Sequence, residues 1–102
     1  MLAVTRCAVP PLHHPTFLLA AKAALDALAT RSGYLRGRLG RSVEDPAEWV
    51  LATEWAGVGS YRRGLSAYDV KIALAPLMEY VVNQPSAYEV LAAVDPAPAP
   101  QG

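Results

Sequence analysis

Cysteine is nearly absent from this chain: Cys7 stands alone among 102 residues. One thiol cannot close an internal disulfide and offers no metal-ligand spacing, so a reducing compartment, the cytoplasm, is the expected setting. Histidine is almost as scarce. His13 and His14 are the only two, and sequence neighbours point apart on a helix or strand, so they do not form a ready metal site. Net charge is also missing, because nine basic residues balance nine acidic ones. Arg31, Arg36, Arg38 and Arg41 are followed closely by Glu44, Asp45, Glu48 and Glu54, which removes any nucleic-acid footprint. No Gly-rich loop precedes a helix to cradle phosphate, and no His, Asp and Ser set has a recognisable context. The most apolar run, "PTFLLAAKAALDALA", is interrupted by Lys22 and Asp26. It is too short and too charged to span a bilayer, and no basic segment immediately precedes it as in a signal peptide.

What is abundant is apolar surface. Hydrophobic residues make up 53% of the chain and charged ones 18%, the balance of one globular domain. A domain this small leaves roughly a third of its unfolded surface exposed, so a second subunit is the simplest cover for the surplus.

Strand and helix patterns alternate. "LAVTRCAV" is short, β-branched and closed by Pro10 and Pro11, so it is predicted as a strand. Phe17, Ala21, Ala24, Leu25 and Leu28 then recur at helical spacing, with Pro15 suited to the first turn and Gly33 to a left-handed stop. "YLRGRLGRS" and "EWVLATEWA" flank a turn containing Asp45 and Pro46. Pairing residue 42 with 48 sets Leu35 opposite Trp55, Arg36 opposite Glu54 and Leu39 opposite Leu51. One face then carries Leu35, Leu39, Trp49, Leu51 and Trp55; the other carries Tyr34, Arg36, Arg38, Glu48, Val50, Ala52 and Glu54. A short helix through Leu65 and a longer one from Ala67 to about Val82 follow, separated by a Ser66–Asp69 capping box, with Pro76 kinking the second or shifting its hydrogen bonding. "AYEVLAAV" supplies a fourth strand, and residues 95–102, "DPAPAPQG", form a disordered tail with nothing to bury.

The order is strand, helix, strand, strand, helix pair, strand: a ferredoxin-like α+β sandwich over residues 1–94, its helices on one face of an antiparallel sheet. The open sheet face calls for a partner, and a second sheet would bury Val50, Val90, Tyr88 and the Arg36–Glu54 pair. A pocket between the other face and the helices would be built from Trp55, Leu51, Leu35, Tyr61, Leu65 and Tyr68.

Over about residues 2–93 the chain resembles the antibiotic biosynthesis monooxygenase domains of the dimeric α/β barrel superfamily. The likeness rests on "RSGYLRGRLGRSVEDPAEWVLATEW", the Tyr-bearing "GSYRRGLSA" and the late "PSAYEVL", taken in order. It implies a homodimer joined through the open sheet face, with an apolar aromatic small molecule as ligand and neither nucleic acid nor membrane as partner. Quinone-forming members of that family use molecular oxygen without metal or flavin, so no cofactor is expected. Their Trp at the end of the third strand and Tyr six residues later match Trp55 and Tyr61, the two residues the resemblance assigns to catalysis. Leu35, Leu51, Leu65 and Tyr68 are the substrate-binding candidates. The likeness is incomplete: the branch's Asn falls on Leu51 and its Arg on Ala75. The haem-degrading branch places its second Trp at Gly64 and its ligating His at Leu74, so haem degradation is not expected.

Bland alternatives stand beside each assignment. Trp55 reads also as a core anchor, Tyr61 as a structural hydrogen-bonding residue and Arg36–Glu54 as a cross-strand ion pair. The whole domain is then a non-catalytic carrier, or a dimer whose cavity is closed by side chains.

Overall fold

The computed structural model describes residues 1–82 and 86–99. Its elements are β1 (Leu2–Ala8), a 3-10 turn (Pro11–His13), α1 (His14–Ala29), β2 (Tyr34–Arg41), β3 (Glu48–Trp55), α2 (Val58–Ser66), α3 (Tyr68–Leu74), a 3-10 helix (Ala75–Tyr80) and β4 (Ser86–Tyr88). The sheet is antiparallel with strand order β2-β3-β1-β4, the ferredoxin-like arrangement expected from the element order.

Alternation in β3 divides the sheet's two faces. Trp49, Leu51, Thr53 and Trp55 are buried beneath the helices, whereas Val50, Ala52 and Glu54 stay half-exposed on the open side. α1 presents Phe17, Ala21, Ala24 and Leu28 to that inner face. Its stripe mixes small and large residues, which lets the helix approach the sheet closely. Phe17, Ala21 and Ala24 join Cys7, Val9, Trp49, Leu51 and Leu77 in one core cluster, and Leu28 joins Trp55 and Val70 in the other.

The hairpin turn forms by the expected chemistry. Ser42 N–H donates to the Glu48 carbonyl (2.8 Å), the Ser42 hydroxyl accepts from the amides of Glu44 and Asp45, and the Asp45 carboxylate accepts from Ala47 N–H. Leu39 meets Leu51 and Arg36 meets Glu54 as predicted. The start of β2 differs. A register shift between Tyr34 and Arg36 puts Tyr34, not Leu35, opposite Trp55. Leu35 is 51% exposed, while the Tyr34 ring meets the Trp55 indole edge-on at 5.4 Å. A bulge is the means. The larger aromatic ring gains more from that space than leucine does. The turn before it depends on Gly33 at φ +88°, which its carbonyl stabilises by accepting from Ala56 N–H (2.7 Å).

The long second helix is also corrected. The chain breaks at Ala67, where the backbone is extended and no side chain caps α3. The capping box does not form: the Ser66 hydroxyl donates back to the Arg62 carbonyl, and Asp69 faces Arg31 at 3.6 Å. Pro76 lacks an N–H and cannot continue an α-helix, so the remainder winds as the 3-10 helix.

β4 is three residues long rather than eight. Tyr88 lies opposite Leu2, the first residue of β1. Residues 89–99 are exposed and without regular structure, and the last part of the expected tail, 100–102, lies outside the described residues.

Candidate active site

A cavity of about 260 Å³ lies between the inner sheet face and the helices. β1 contributes Thr5 and Cys7 to its wall, β3 contributes Leu51, and α1 contributes Phe17 and Ala21. Tyr61 and Leu65 enter from α2, and Leu74, Leu77, Met78 and Val81 close the remaining side. The surface is apolar except for one phenol, one thiol and one threonine hydroxyl. A wider cleft of about 590 Å³ opens between the start of α2 and β4, lined by residues such as Gly57, Arg62 and Glu89. It lacks Tyr61 and Leu51 and is not where the expected residues meet.

Of the six residues expected to form a pocket, the structure brings Leu51, Tyr61 and Leu65 together. Trp55 is 1% exposed and sits behind the wall, with its indole N–H donated to the Thr53 hydroxyl (2.9 Å). It does not line the cavity but packs behind wall residues, among them Tyr61, whose ring centroid is 5.8 Å away at 63°. Leu35 and Tyr68 do not line the cavity. The bulge turns Leu35 outward, and Tyr68, first residue of α3, is 79% exposed.

Thr5, Cys7 and most of the upper wall were absent from the expected site. Their signal lay in the sequence, since Ala3, Thr5 and Cys7 share one face of β1 by period two. Leu77 and Met78 gave no such signal, because a 3-10 helix shifts the angular spacing between residues.

Burial pushes the Tyr61 phenol above its ordinary pKa and raises the Cys7 thiol likewise. Both therefore keep their protons at neutral pH. Among the described residues the Tyr61 hydroxyl has no hydrogen-bond partner, leaving a donor free for a bound molecule. Neither histidine reaches this wall. His13 Nδ1 pairs with the Tyr80 hydroxyl (2.8 Å), and His14 Nε2 with the Val9 carbonyl (2.9 Å). No group of three or more His, Cys, Asp or Glu residues capable of holding a metal occurs among the described residues.

The positions relevant to haem are equally clear. Leu74 is part of the cavity wall, and a Cβ at Gly64 would stand 2.9 Å from Trp55 Cη2. The indole of Trp55 already fills the space beside position 64.

Solved structures share this architecture. An antibiotic biosynthesis monooxygenase homologue from Deinococcus radiodurans superposes with a TM-score of 0.79 at 17% identity, covering 92% of this chain and 95% of that one. The cofactor-independent oxygenase SnoaB from Streptomyces nogalater, solved as a point mutant, gives 0.77 at 17% identity, covering 91% and 94%. A homologue from Nitrosomonas europaea gives 0.76 at 13% identity, covering 89% and 98%. No curated protein sequence matches significantly. No helix in the described residues is long and apolar enough to cross a membrane. The family model for antibiotic biosynthesis monooxygenase matches residues 1–63, a stretch that carries β1 through most of α2, and the chain therefore belongs to the antibiotic biosynthesis monooxygenase family.

Proposed function

We propose that this protein is a cofactor-independent monooxygenase that oxidises a reduced aromatic or polyketide-like small molecule in the cavity beside Tyr61. The observation that carries this reading is a neutral phenol with a free donor in an otherwise apolar wall. Such a site suits a flat, uncharged ring system bearing a carbonyl oxygen. Tyr61 would donate to that oxygen, and the bond would strengthen as the adjoining methylene loses a proton and charge collects on the oxygen. The resulting carbanion supplies electrons to molecular oxygen. In balance, CH2 and O2 become C=O and H2O: the carbon loses four electrons, one oxygen atom enters the product and the other leaves as water.

Among the described residues the wall offers no base, because burial raises the pKa of both Tyr61 and Cys7. The substrate proton would pass to solvent. Trp55 would then act indirectly, as the rigid backing that fixes the Tyr61 ring. SnoaB, described as a cofactor-independent oxygenase, lends the reading a precedent on the same fold.

The working unit in this reading is a cytoplasmic homodimer joined through the open sheet face. That face carries Val4, Val50 and Ala52, each half-buried within one protomer, beside the exposed Leu2 and Tyr88. Arg36 and Glu54 pair across it at 3.0 Å.

A binding role without turnover is the second reading. Leu51 in the wall favours it, since this position gives no polar group to the ligand. Oxygen uptake by purified, metal-stripped protein with an anthrone, measured against a protein-free autoxidation control, separates the two. Uptake above the control is expected. Tight binding of the anthrone with its unchanged recovery in air would instead make the protein a carrier.

A further inference from the structure

The cavity beside Tyr61 has two unlike ends. Cys7, Phe17, Ala21, Leu51 and Leu77 are buried and belong to one core cluster. Thr5, Tyr61, Leu65 and Val81 are only half-buried, and Met78 is 62% exposed. The cavity therefore closes against the core and opens toward solvent on the side of Thr5, Tyr61 and Met78. Oxygen follows the same division. The two hydroxyls of the wall, Thr5 and Tyr61, both stand on the open side, and no side-chain oxygen stands at the closed end.

β1 holds Thr5 in place. The residue shares the inner sheet face with Cys7 and lies opposite Leu51 in the antiparallel register with β3. Thr53, the other threonine of that face, has its hydroxyl occupied by the Trp55 indole N–H. The Thr5 hydroxyl makes no hydrogen bond among the described residues, so it can both donate to and accept from a bound molecule. Thr5 comes from the sheet and Tyr61 from α2. A ligand between them meets one hydroxyl from each layer.

We infer that Thr5 is a specificity-determining residue, binding a second oxygen function of the ligand, and that the ligand enters with its unsubstituted ring first. The inference rests on the oxygen-bearing ring system proposed above and deepens it. No wall residue is charged, so an ionised ligand group would lose its water without gaining a partner. A hydroxyl carried to the closed end would meet hydrocarbon and one weakly bonding thiol, at a cost in affinity. The class that fits is an uncharged fused-ring compound whose oxygens lie together on the ring at the mouth. The same orientation leaves the methylene beside the carbonyl near solvent, which receives its proton in a wall without a base.

The test is calorimetric titration of the full chain and its Thr5→Val, Thr5→Ser and Tyr61→Phe variants with three bicyclic ketones. 1-Tetralone carries the carbonyl alone, 4-hydroxy-1-tetralone adds a hydroxyl to the same ring, and 6-hydroxy-1-tetralone places it on the far ring. Valine keeps the β-branched shape of threonine and removes its hydrogen bonding; serine keeps the hydroxyl. The parent should bind 4-hydroxy-1-tetralone about fivefold more tightly than 1-tetralone, and 6-hydroxy-1-tetralone at least about fivefold more weakly. Thr5→Val should erase the advantage of the 4-hydroxyl with the affinity for 1-tetralone unchanged, Thr5→Ser should retain it, and Tyr61→Phe should weaken all three ligands alike. An advantage that survives in Thr5→Val would overturn the role of Thr5. Equal affinity of the parent for the two hydroxytetralones would overturn the orientation, and binding of none of the three would overturn both. Oxygen uptake is scored separately: selective binding without uptake leaves Thr5 assigned and removes the oxygenase, whereas uptake with unselective binding does the reverse.

Discussion

Tyr61 stands against Trp55 edge to face, ring centroids 5.8 Å apart, and only Tyr61 reaches the cavity. The two aromatics six residues apart in sequence thus divide the work. Trp55, closed off behind its hydrogen bond to Thr53, packs in the core, and Tyr61 lines the cavity wall.

Replacing Tyr61 by phenylalanine removes one oxygen atom and no protein hydrogen bond among the described residues. Turnover of a competent substrate should fall about 100-fold, the usual loss for one donor to a developing oxyanion. The thermal midpoint should move little, because the ring and its contact with Trp55 remain. Steady-state oxygen uptake and a melting curve on the same sample check both halves. Equal turnover in the two proteins would remove the hydroxyl from the mechanism.

The raised pKa of Tyr61 carries a pH signature with a definite sign. Below pH about 10, the ordinary tyrosine value, both folded and unfolded states hold the proton and the site is neutral to stability changes. Above it the unfolded chain releases the proton while the folded one keeps it, so stability falls as pH rises through the folded pKa. Tyr80 and Cys7 are shifted in the same direction, so the useful quantity is a difference. Urea denaturation between pH 9 and about pH 11 should show a shallower decline for Tyr61→Phe than for the parent. Identical slopes would mean that burial does not perturb this phenol.

The fold was legible from alternation and helical spacing because those patterns report which side chains face the core. β3 shows the expected alternation from Trp49 to Trp55, and α1 buries four of the five residues marked by its spacing. The pocket was less legible, for reasons that particular residues make plain. Leu35 was lost to a bulge, since an extra residue reverses which neighbour points inward. The Ser66–Asp69 box failed because each side chain found a better local partner, Arg62 and Arg31 respectively. β4 covers Ser86–Tyr88 although the apolar run continues to Val94, because composition alone marks strand character and not pairing.

Gly64 packs under the Trp55 indole. A Cβ there would lie 2.9 Å from Cη2 and 3.1 Å from Cζ3, closer than carbon atoms tolerate, and the indole that would have to shift is 1% exposed and tied to the Thr53 hydroxyl. Gly64→Ala should therefore destabilise the protein by about 1–3 kcal/mol, the range for overpacking a filled core. In an ordinary helix interior the same change would stabilise by about 1 kcal/mol. The sign of the change in urea midpoint decides which effect prevails, and a rise would show that Trp55 can shift.

Cys7 lies in the wall of the same cavity as Tyr61 but is 2% exposed. Burial raises its pKa, and a thiol reacts with electrophiles through its thiolate, so two independent effects suppress its chemistry. Labelling of native protein with a maleimide at neutral pH should run at least about tenfold slower than labelling of the unfolded chain. An occupant of the cavity should slow it further, because the reagent and the ligand compete for one space. That second effect makes the thiol a reporter of cavity occupancy independent of turnover: an anthrone that protects Cys7 occupies this cavity, whether or not it is oxidised. Rapid stoichiometric labelling unaffected by the anthrone would place the thiol's access route elsewhere, through the surface hollow that Cys7 shares with Ala8, Ala47 and Val82.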